Sequence, residues 1–241
     1  MKATHPFDEV IVFDLETTGC DPERNQIIEI GAIKVKEGCV VSQYQQLIDP
    51  QIIIPDKITE ITGITNDMVQ HQPSIEEVLP DFINFCEGDY ILGHNILFDY
   101  KFIKANALRY GYPFVKQGFD TLRLARRFLK HLPSRSLGVV CDYYGINLVH
   151  AHRAYDDAKA TYEVFLKLKE QFYTQFPEEF KPEPMTWVPK KQAPITMKQK
   201  KYLQNLLRMQ KKKIHQELDM LTKSEASRFI DEILKEMRQA K

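Results

Sequence analysis

The sequence lacks the features of a disulfide-rich, zinc-stabilised or membrane-spanning protein. It has four cysteines in 241 residues, and no two of them form a Cys-x-x-Cys pair. This spacing predicts neither a disulfide framework nor a structural zinc site. No run of about 18 apolar residues is present, so no membrane span is expected, and the N-terminus lacks the apolar segment of a secretory signal. We therefore expect a cytoplasmic protein with reduced thiols and no membrane partner.

The chain also lacks net charge, but its charges are unevenly distributed. Lys and Arg total 33, as do Asp and Glu. Residues 186–241 hold 14 basic and 6 acidic residues, a net charge of +8, so residues 1–185 carry −8. A basic segment can bind a polyanion such as nucleic acid, and it can equally form a solvated helical surface. On the first interpretation, deletion of the segment weakens oligonucleotide binding and makes its salt dependence shallower.

Hydrophobic periodicity and turn residues predict an α/β fold in the first 176 residues. Three strands open the chain as an antiparallel meander, at about residues 10–16, 26–37 and 40–48, and the first of them stops at a Thr-Thr-Gly turn. Helices and short strands follow, and a long helix ends near residue 172. Five prolines make residues 177–195 resemble an extended linker, with Trp187 docked on one of the domains.

Residues 196–241 are predicted to form a small basic helical hairpin. Thr196-x-x-Gln199 and Thr222-x-x-Glu225 are capping boxes, and each precedes an apolar stripe. Three consecutive lysines, residues 211–213, lie between the two helices. The stripes can be buried against each other, against the main domain or against a partner.

The first candidate site residues are Asp14 and Glu16, at the end of the first strand. Residues i and i+2 of a strand point to the same side, so the two carboxylates project together. Like charges on a buried strand repel each other and are poorly solvated. A divalent metal ion would offset that cost, whereas two solvated acids at a strand end are the simpler alternative.

Three further candidates follow predicted elements: Asp99, His152 and Asp157. Asp99 falls near a helix start, where a carboxylate also suits the helix dipole. His152 lies five residues before Asp157 and therefore in a loop, which excludes a metal pair at i and i+4 of one helix but permits an imidazole beside a helical acid. A loop histidine is often only an exposed residue.

Together these five residues are chemically sufficient to hydrolyse a phosphodiester bond. Carboxylates suit Mg²⁺ and Mn²⁺, and two such ions about 3.5–4 Å apart stabilise the attacking and leaving oxygens of a displacement. Histidine, with a reference pKa of about 6.5, can accept a proton from the attacking water.

The motifs that carry these residues resemble those of one family, the DEDDh 3'-5' exonucleases. They are Phe-Asp-Leu-Glu-Thr-Thr-Gly with Asp14 and Glu16, His-Asn-Ile-Leu-Phe-Asp ending at Asp99, and His-Arg-Ala-Tyr-Asp-Asp-Ala with His152 and Asp157. The resemblance covers roughly residues 8–172, includes DnaQ-like and PolC-type exonuclease domains, and shows no departure at the five positions.

The resemblance implies an RNase H-like fold, a five-stranded mixed sheet flanked by helices. It implies two metal ions, Mg²⁺ or Mn²⁺, with Asp14 bridging both. Glu16 and Asp157 would hold the ion that activates water, and Asp99 would position the second. His152 would be the general base. Five residues would cradle the terminal nucleotide: Thr17, Thr18, Thr62, Ile64 and Asn95.

The implied reaction is hydrolysis at single-stranded DNA or RNA 3' ends, with release of nucleoside 5'-monophosphates. DNA is favoured as substrate, in proofreading or repair, and a DNA polymerase subunit is a further candidate partner. The alternative is a catalytically silent nucleic-acid-binding or polymerase-accessory protein on the same scaffold. Loss of any of the five residues would favour that alternative, and all five are present.

Overall fold

The strand that carries the first carboxylate pair, β1 (Glu9–Thr17), lies between neighbours on both sides in the computed structural model of the chain. The structure describes residues 5–88, 90–148, 151–189, 194–210, 212 and 218–239. Val12 packs into the core on one face of the sheet and Phe13 into the core on the other. By strand alternation Asp14 and Glu16 lie on the Val12 face.

Five further strands complete a mixed sheet. They are β2 (Ile27–Lys36), β3 (Cys39–Leu47), β4 (Tyr90–Gly93), β5 (Gln117–Asp120) and β6 (Glu183–Pro184). The order across the sheet is β3-β2-β1-β4-β5-β6. Strands β1 to β3 form the predicted antiparallel meander, whereas β4 runs parallel to both β1 and β5. This arrangement confirms the RNase H-like mixed sheet.

The sheet has one strand more than the five that the resemblance implies. The two-residue β6 pairs antiparallel with the edge strand β5. Pro184 belongs to this strand, and proline is tolerated at a sheet edge because its missing N–H is not needed there.

Seven helices of the described chain surround the sheet or connect its strands. They are α1 (Asp56–Thr62), α2 (Asn66–Val69), α3 (Ile75–Phe85), α4 (Ile96–Tyr110), α5 (Thr121–Phe128), α6 (Leu137–Tyr144) and α7 (Ala154–Phe172). Ser74 and Glu77 form a capping box at the start of α3, with the Ser74 N–H donating to Glu77 Oε2 over 2.7 Å. No helix in the described residues is long and apolar enough to cross a membrane.

Each face of the sheet has its own apolar core. Helix α7 contributes Val164, Phe165 and Leu168 to the core on the Val12 face. Helices α3 and α4 cover the opposite face, where Phe82 and Phe102 are fully buried. Burial of each large apolar side chain contributes about 1.5–3 kcal/mol to folding. The two cores fix α4 and α7 against β1. The first turns of these helices carry Asp99 and Asp157, respectively.

The chain divides into two compact units, Met1–Trp187 and Val188–Lys241. Pro177–Phe180 forms a 3₁₀ helix, Phe180 is buried, and Trp187 packs on the α3–α4 core. Residues 177–187 of the proposed linker therefore pack on the sheet, because Phe180 and Trp187 give this proline-rich segment apolar surface to bury. The domain limits of 1–176, 177–195 and 196–241 otherwise remain a prediction.

The described part of the second unit contains two α-helices, α8 (Met197–Met209) and α9 (Lys223–Gln239), with a 3₁₀ helix between them at Leu218–Met220. The Thr196 and Thr222 hydroxyls accept from the backbone N–H groups three residues on, over 3.1 and 3.2 Å, as the capping boxes predict. The apolar stripes are buried against each other within this unit. Lys211 and Lys213 of the lysine run lie outside the described residues.

Candidate active site

Strand β1 delivers Asp14 and Glu16 to the face of the sheet that α7 covers. Both side chains are half-buried, whereas the intervening Leu15 is buried on the other face. Glu16 is paired in register with Glu29 of β2, and the register shifts at the next residue, Thr17. The strand therefore ends its regular pairing immediately after the second carboxylate.

Asp99 reaches the same place from the first turn of α4. Its side chain is buried, and its Oδ1 accepts a hydrogen bond from the Leu15 backbone N–H over 3.1 Å. Asn95, at φ 74°, turns the chain from β4 into α4, and its N–H donates to Asp120 Oδ1. Asp99 is thus fixed to β1 between the two carboxylates of that strand.

His152 and Asp157 come from the loop before α7 and from the first turn of that helix. His152 has a left-handed backbone conformation, φ 65°, and its N–H donates to Asp157 Oδ2 over 3.1 Å. The imidazole is exposed, whereas Asp157 is 8% exposed. Gly31 of β2 admits the helix start, since a Cβ there would lie 2.0 Å from the Tyr155 backbone nitrogen.

Glu16, His152 and Asp157 converge on one point. Each offers one ligand atom, and these atoms all lie within 4.8 Å of one another. Asp157 Oδ1 is buried and has no hydrogen-bond partner among the described residues. Two carboxylates, one of them with an unsatisfied oxygen, and an imidazole form a donor set that fits a divalent cation. The residues present therefore fit a metal ion at this point.

The electrostatics of the site favour neutralisation of its acids. Burial, together with the charges of Asp99, Asp157 and Glu16, raises the pKa of Asp14 well above its usual range. Burial and the charges of Asp157 and Glu29 raise the pKa of Glu16 to about 8. A bound cation would reverse these effects by favouring the ionised carboxylates.

For the two helix-borne acids, Asp99 and Asp157, burial and a backbone hydrogen bond act on the pKa in opposite directions. Burial raises the pKa of Asp157 to about 6, although the hydrogen bond from the His152 N–H opposes that rise. Burial also raises the pKa of Asp99 well above its usual range, against the hydrogen bond from Leu15. At neutral pH the metal-free site is therefore partly protonated.

The sequence analysis missed Glu29 and Arg153. Glu29 is completely buried on β2, and it accepts hydrogen bonds from the Arg153 guanidinium and from the Ala154 backbone N–H. The available signal was a glutamate within the apolar run Ile-Ile-Glu-Ile-Gly-Ala-Ile, since a charge in a buried strand needs a partner.

The five residues expected to cradle a nucleotide lie in three places. Thr17 and Thr18 are buried at the end of β1, where the Thr17 hydroxyl donates to Gly19 O and the Thr18 hydroxyl accepts from Gln26 N. Their hydroxyls thus bond within the protein.

Of the other three, Thr62 ends α1, Ile64 follows that helix, and Asn95 precedes α4. The buried Thr62 hydroxyl donates to Ile58 O and accepts from Ile64 N, and Ile64 packs in a small apolar cluster. Asn95 is exposed at the start of α4. Contact of these five residues with substrate stays a prediction.

Comparison with known proteins gives a family and a fold. A family model described as Exonuclease matches residues 11–165. The chain is 45% identical over 168 residues to DNA polymerase III PolC-type of Clostridium perfringens, an alignment that covers 68% of this chain but 12% of that polymerase. It is 36% identical over 167 residues to DNA polymerase III subunit epsilon of Aquifex aeolicus, covering 69% of this chain and 83% of that subunit.

The fold is shared with a solved DEDDh exonuclease. The nuclease domain of 3'hExo, a DEDDh family member bound to rAMP, superposes with a TM-score of 0.60 at 20% identity. The match covers 75% of this chain and 98% of that domain. At this identity the likeness supports the fold of the first unit.

Proposed function

Because the chain belongs to the Exonuclease family, we propose that it is a metal-dependent 3'-5' exonuclease that acts on single-stranded nucleic-acid ends. The products are nucleoside 5'-monophosphates. The observation that carries this proposal is the convergence of Glu16, His152 and Asp157 within 4.8 Å, beside Asp14 and the buried Asp99.

We assign the residues as follows. Asp14, Glu16, Asp99 and Asp157 hold Mg²⁺ or Mn²⁺, two ions per site. When bound, the metal ions supply positive charge to the phosphate oxygens and lower the pKa of water. His152 accepts the proton of the attacking water, and its exposed imidazole is placed for that exchange. Asp157 fixes the His152 backbone through the 3.1 Å hydrogen bond.

The substrate is proposed to be DNA in preference to RNA. The chain is similar to polymerase III proteins over its exonuclease part. The solved domain that shares its fold is bound to rAMP, a nucleoside monophosphate of the class expected as product. The pocket contacts at the 2' position decide between the two sugars.

The test uses 5'-labelled oligonucleotides with Mg²⁺ or Mn²⁺: single-stranded DNA, mismatched duplex DNA and short RNA. A 3'-5' exonuclease shortens the labelled strand one nucleotide at a time, and a phosphorothioate block at the 3' end stops it. Asp14→Ala should abolish hydrolysis and leave the protein folded. Glu163→Gln is the matched control, since Glu163 is exposed on α7, and it should retain nearly the parent rate.

Two outcomes would contradict the proposal. If the Asp14→Ala protein degrades oligonucleotides at the parent rate, the assignment of the active site is wrong. A folded parent protein that binds oligonucleotides without shortening them supports the catalytically silent alternative.

A proofreading setting is the narrower part of the proposal. Its support is the similarity to the polymerase III epsilon subunit, 83% of which the chain covers. A polymerase partner then needs a docking segment, for which we propose the second unit. DNA polymerase III should co-purify with the full chain more than with residues 1–187. Equal recovery of both would exclude the second unit as the docking segment.

A further inference from the structure

The buried carboxylate of Glu29 has a set of partners that concerns the loop of His152. Glu29 Oε1 lies 2.7 Å from Arg153 Nη2, and Oε2 lies 3.1 Å from Arg153 Nε. Oε2 also accepts from the Ala154 N–H over 3.1 Å. One carboxylate thus binds both the side chain of residue 153 and the backbone of residue 154.

The two residues that Glu29 holds follow His152 directly. On the other side, the His152 N–H is held by Asp157 Oδ2. The backbone of His152 is therefore fixed on both sides, in a left-handed conformation, φ 65°, that is uncommon for a non-glycine residue. Because the imidazole is exposed, its direction depends on this backbone more than on side-chain packing.

A role in stability does not by itself explain a fully buried acid at this position. Removing a carboxylate from water is expensive, and a buried ion pair is often no more stabilising than well-packed apolar residues of similar volume. Glu29 lies in a strand whose other residues on this stretch are buried and mostly apolar. A planar, two-point pairing of carboxylate and guanidinium does, however, define an orientation.

We propose that Glu29, through Arg153, is a positioning residue for His152: the ion pair sets the loop so that the imidazole stays beside Glu16 and Asp157. The proposal rests on the function assigned to His152 above. Glu29 is also the register partner of Glu16, so its charge could act on the proposed metal ligand instead. The experiment separates these two routes.

The experiment is a double-mutant cycle measured by single-turnover hydrolysis of labelled single-stranded DNA in excess enzyme and saturating Mg²⁺. Glu29→Gln and Arg153→Met are each made in the parent and in a His152→Ala background. If both act through His152, each should slow the parent about 10- to 100-fold, as misplaced catalytic groups do. Neither should slow the His152→Ala protein further, because residues of one unit are not additive.

The matched control is Arg123→Met. Arg123 and Arg153 have the same side-chain exposure, 32%, and Arg123 also pairs with a glutamate, Glu179. Arg123 belongs to α5, which follows β5 on the other side of β1 from β2. Arg123→Met should keep the parent rate, even if it lowers the melting temperature as much as Arg153→Met does.

A second readout needs no catalysis. In the metal-free protein labelled with ¹³C-histidine, the ring signal of His152 is assigned by its loss in His152→Ala. That signal should shift or broaden in Glu29→Gln and Arg153→Met and stay unchanged in Arg123→Met. If the parent protein does not hydrolyse DNA, the proposed function is wrong. The ring signal then still tests whether Glu29 and Arg153 position His152.

Three results would overturn the proposal. The first is a parent-like rate in both Glu29→Gln and Arg153→Met. The second is an equal fold-loss in the parent and His152→Ala backgrounds, which would place Glu29 at the metal ligands. The third is an unchanged His152 ring signal in both variants.

Discussion

Replacing Glu16 by glutamine should stabilise the metal-free protein near neutral pH. Burial and neighbouring acids raise the pKa of Glu16 in the folded protein to about 8, against 4.5 for an ordinary glutamate. Between these two values the folded state retains a proton that the unfolded state has lost. Since the folded pKa is the higher one, this contribution to stability is complete below pH 4.5 and decreases as the pH rises to 8.

The magnitude follows from the pH interval. Each pH unit above 4.5 lowers the free energy of unfolding by about 1.4 kcal/mol, so about 3 kcal/mol is lost at pH 7. Glutamine keeps the size of the side chain but does not ionise. Glu16→Gln should therefore exceed the parent in stability by up to about 3 kcal/mol at pH 7, and the difference should vanish near pH 4.

The assay is urea unfolding in EDTA at several pH values, followed by the same titration with Mg²⁺. Glu163→Gln is the matched control, because Glu163 is exposed on α7, and it should follow the parent. Mg²⁺ binds only the folded state and should stabilise the parent more than Glu16→Gln. A Glu16→Gln protein that is less stable than the parent at pH 7 in EDTA, or one with the parent's pH dependence, would refute the reasoning.

Two other changes test the packing of α7 and the charge of α8. Gly31→Ala places a Cβ 2.0 Å from the Tyr155 backbone nitrogen, so it should lower the free energy of unfolding by about 1–3 kcal/mol in urea; Gly138→Ala, where a Cβ meets nothing within 4 Å, is its control. Helix α8 carries four basic residues and no acid. Three of them are exposed and are replaced together by glutamine: Lys198, Lys201 and Arg208. The salt slope of oligonucleotide binding should become shallower by about 2, at about 0.7 per phosphate contact. An unchanged slope would favour a structural role for these residues.

Much of both units follows from local sequence. Alternation around Asp14 and Glu16 predicts both the strand and the shared side of its acids, and the capping boxes predict the starts of α3, α8 and α9. Each of these signals lies within a few residues. The two-residue β6 escapes such reasoning, since its pairing with β5 depends on a segment about 65 residues further on.

The anchor of the histidine loop also escapes local reasoning. Glu29 and Arg153 are separated by 124 positions, and neither belongs to the motif residues that the chemistry requires. A glutamate in a buried strand indicates that a partner is needed, but its sequence position does not identify that partner. The threonines after β1 show the opposite case: their positions follow from the motif, whereas their hydrogen bonds to Gly19 and Gln26 depend on the folded loop.

The acids of the site therefore serve two different purposes. Asp157 raises the pKa of Glu16, Glu16 and Asp157 both raise that of Asp14, and Asp157 leaves one buried oxygen without a partner among the described residues. These groups destabilise the metal-free fold, and a divalent cation removes that cost. Glu29 is completely buried, but Arg153 and the Ala154 N–H already satisfy it. Its charge is thus unavailable to a metal ion and fixes the loop instead, which is why one region can hold so many carboxylates without all of them being ligands.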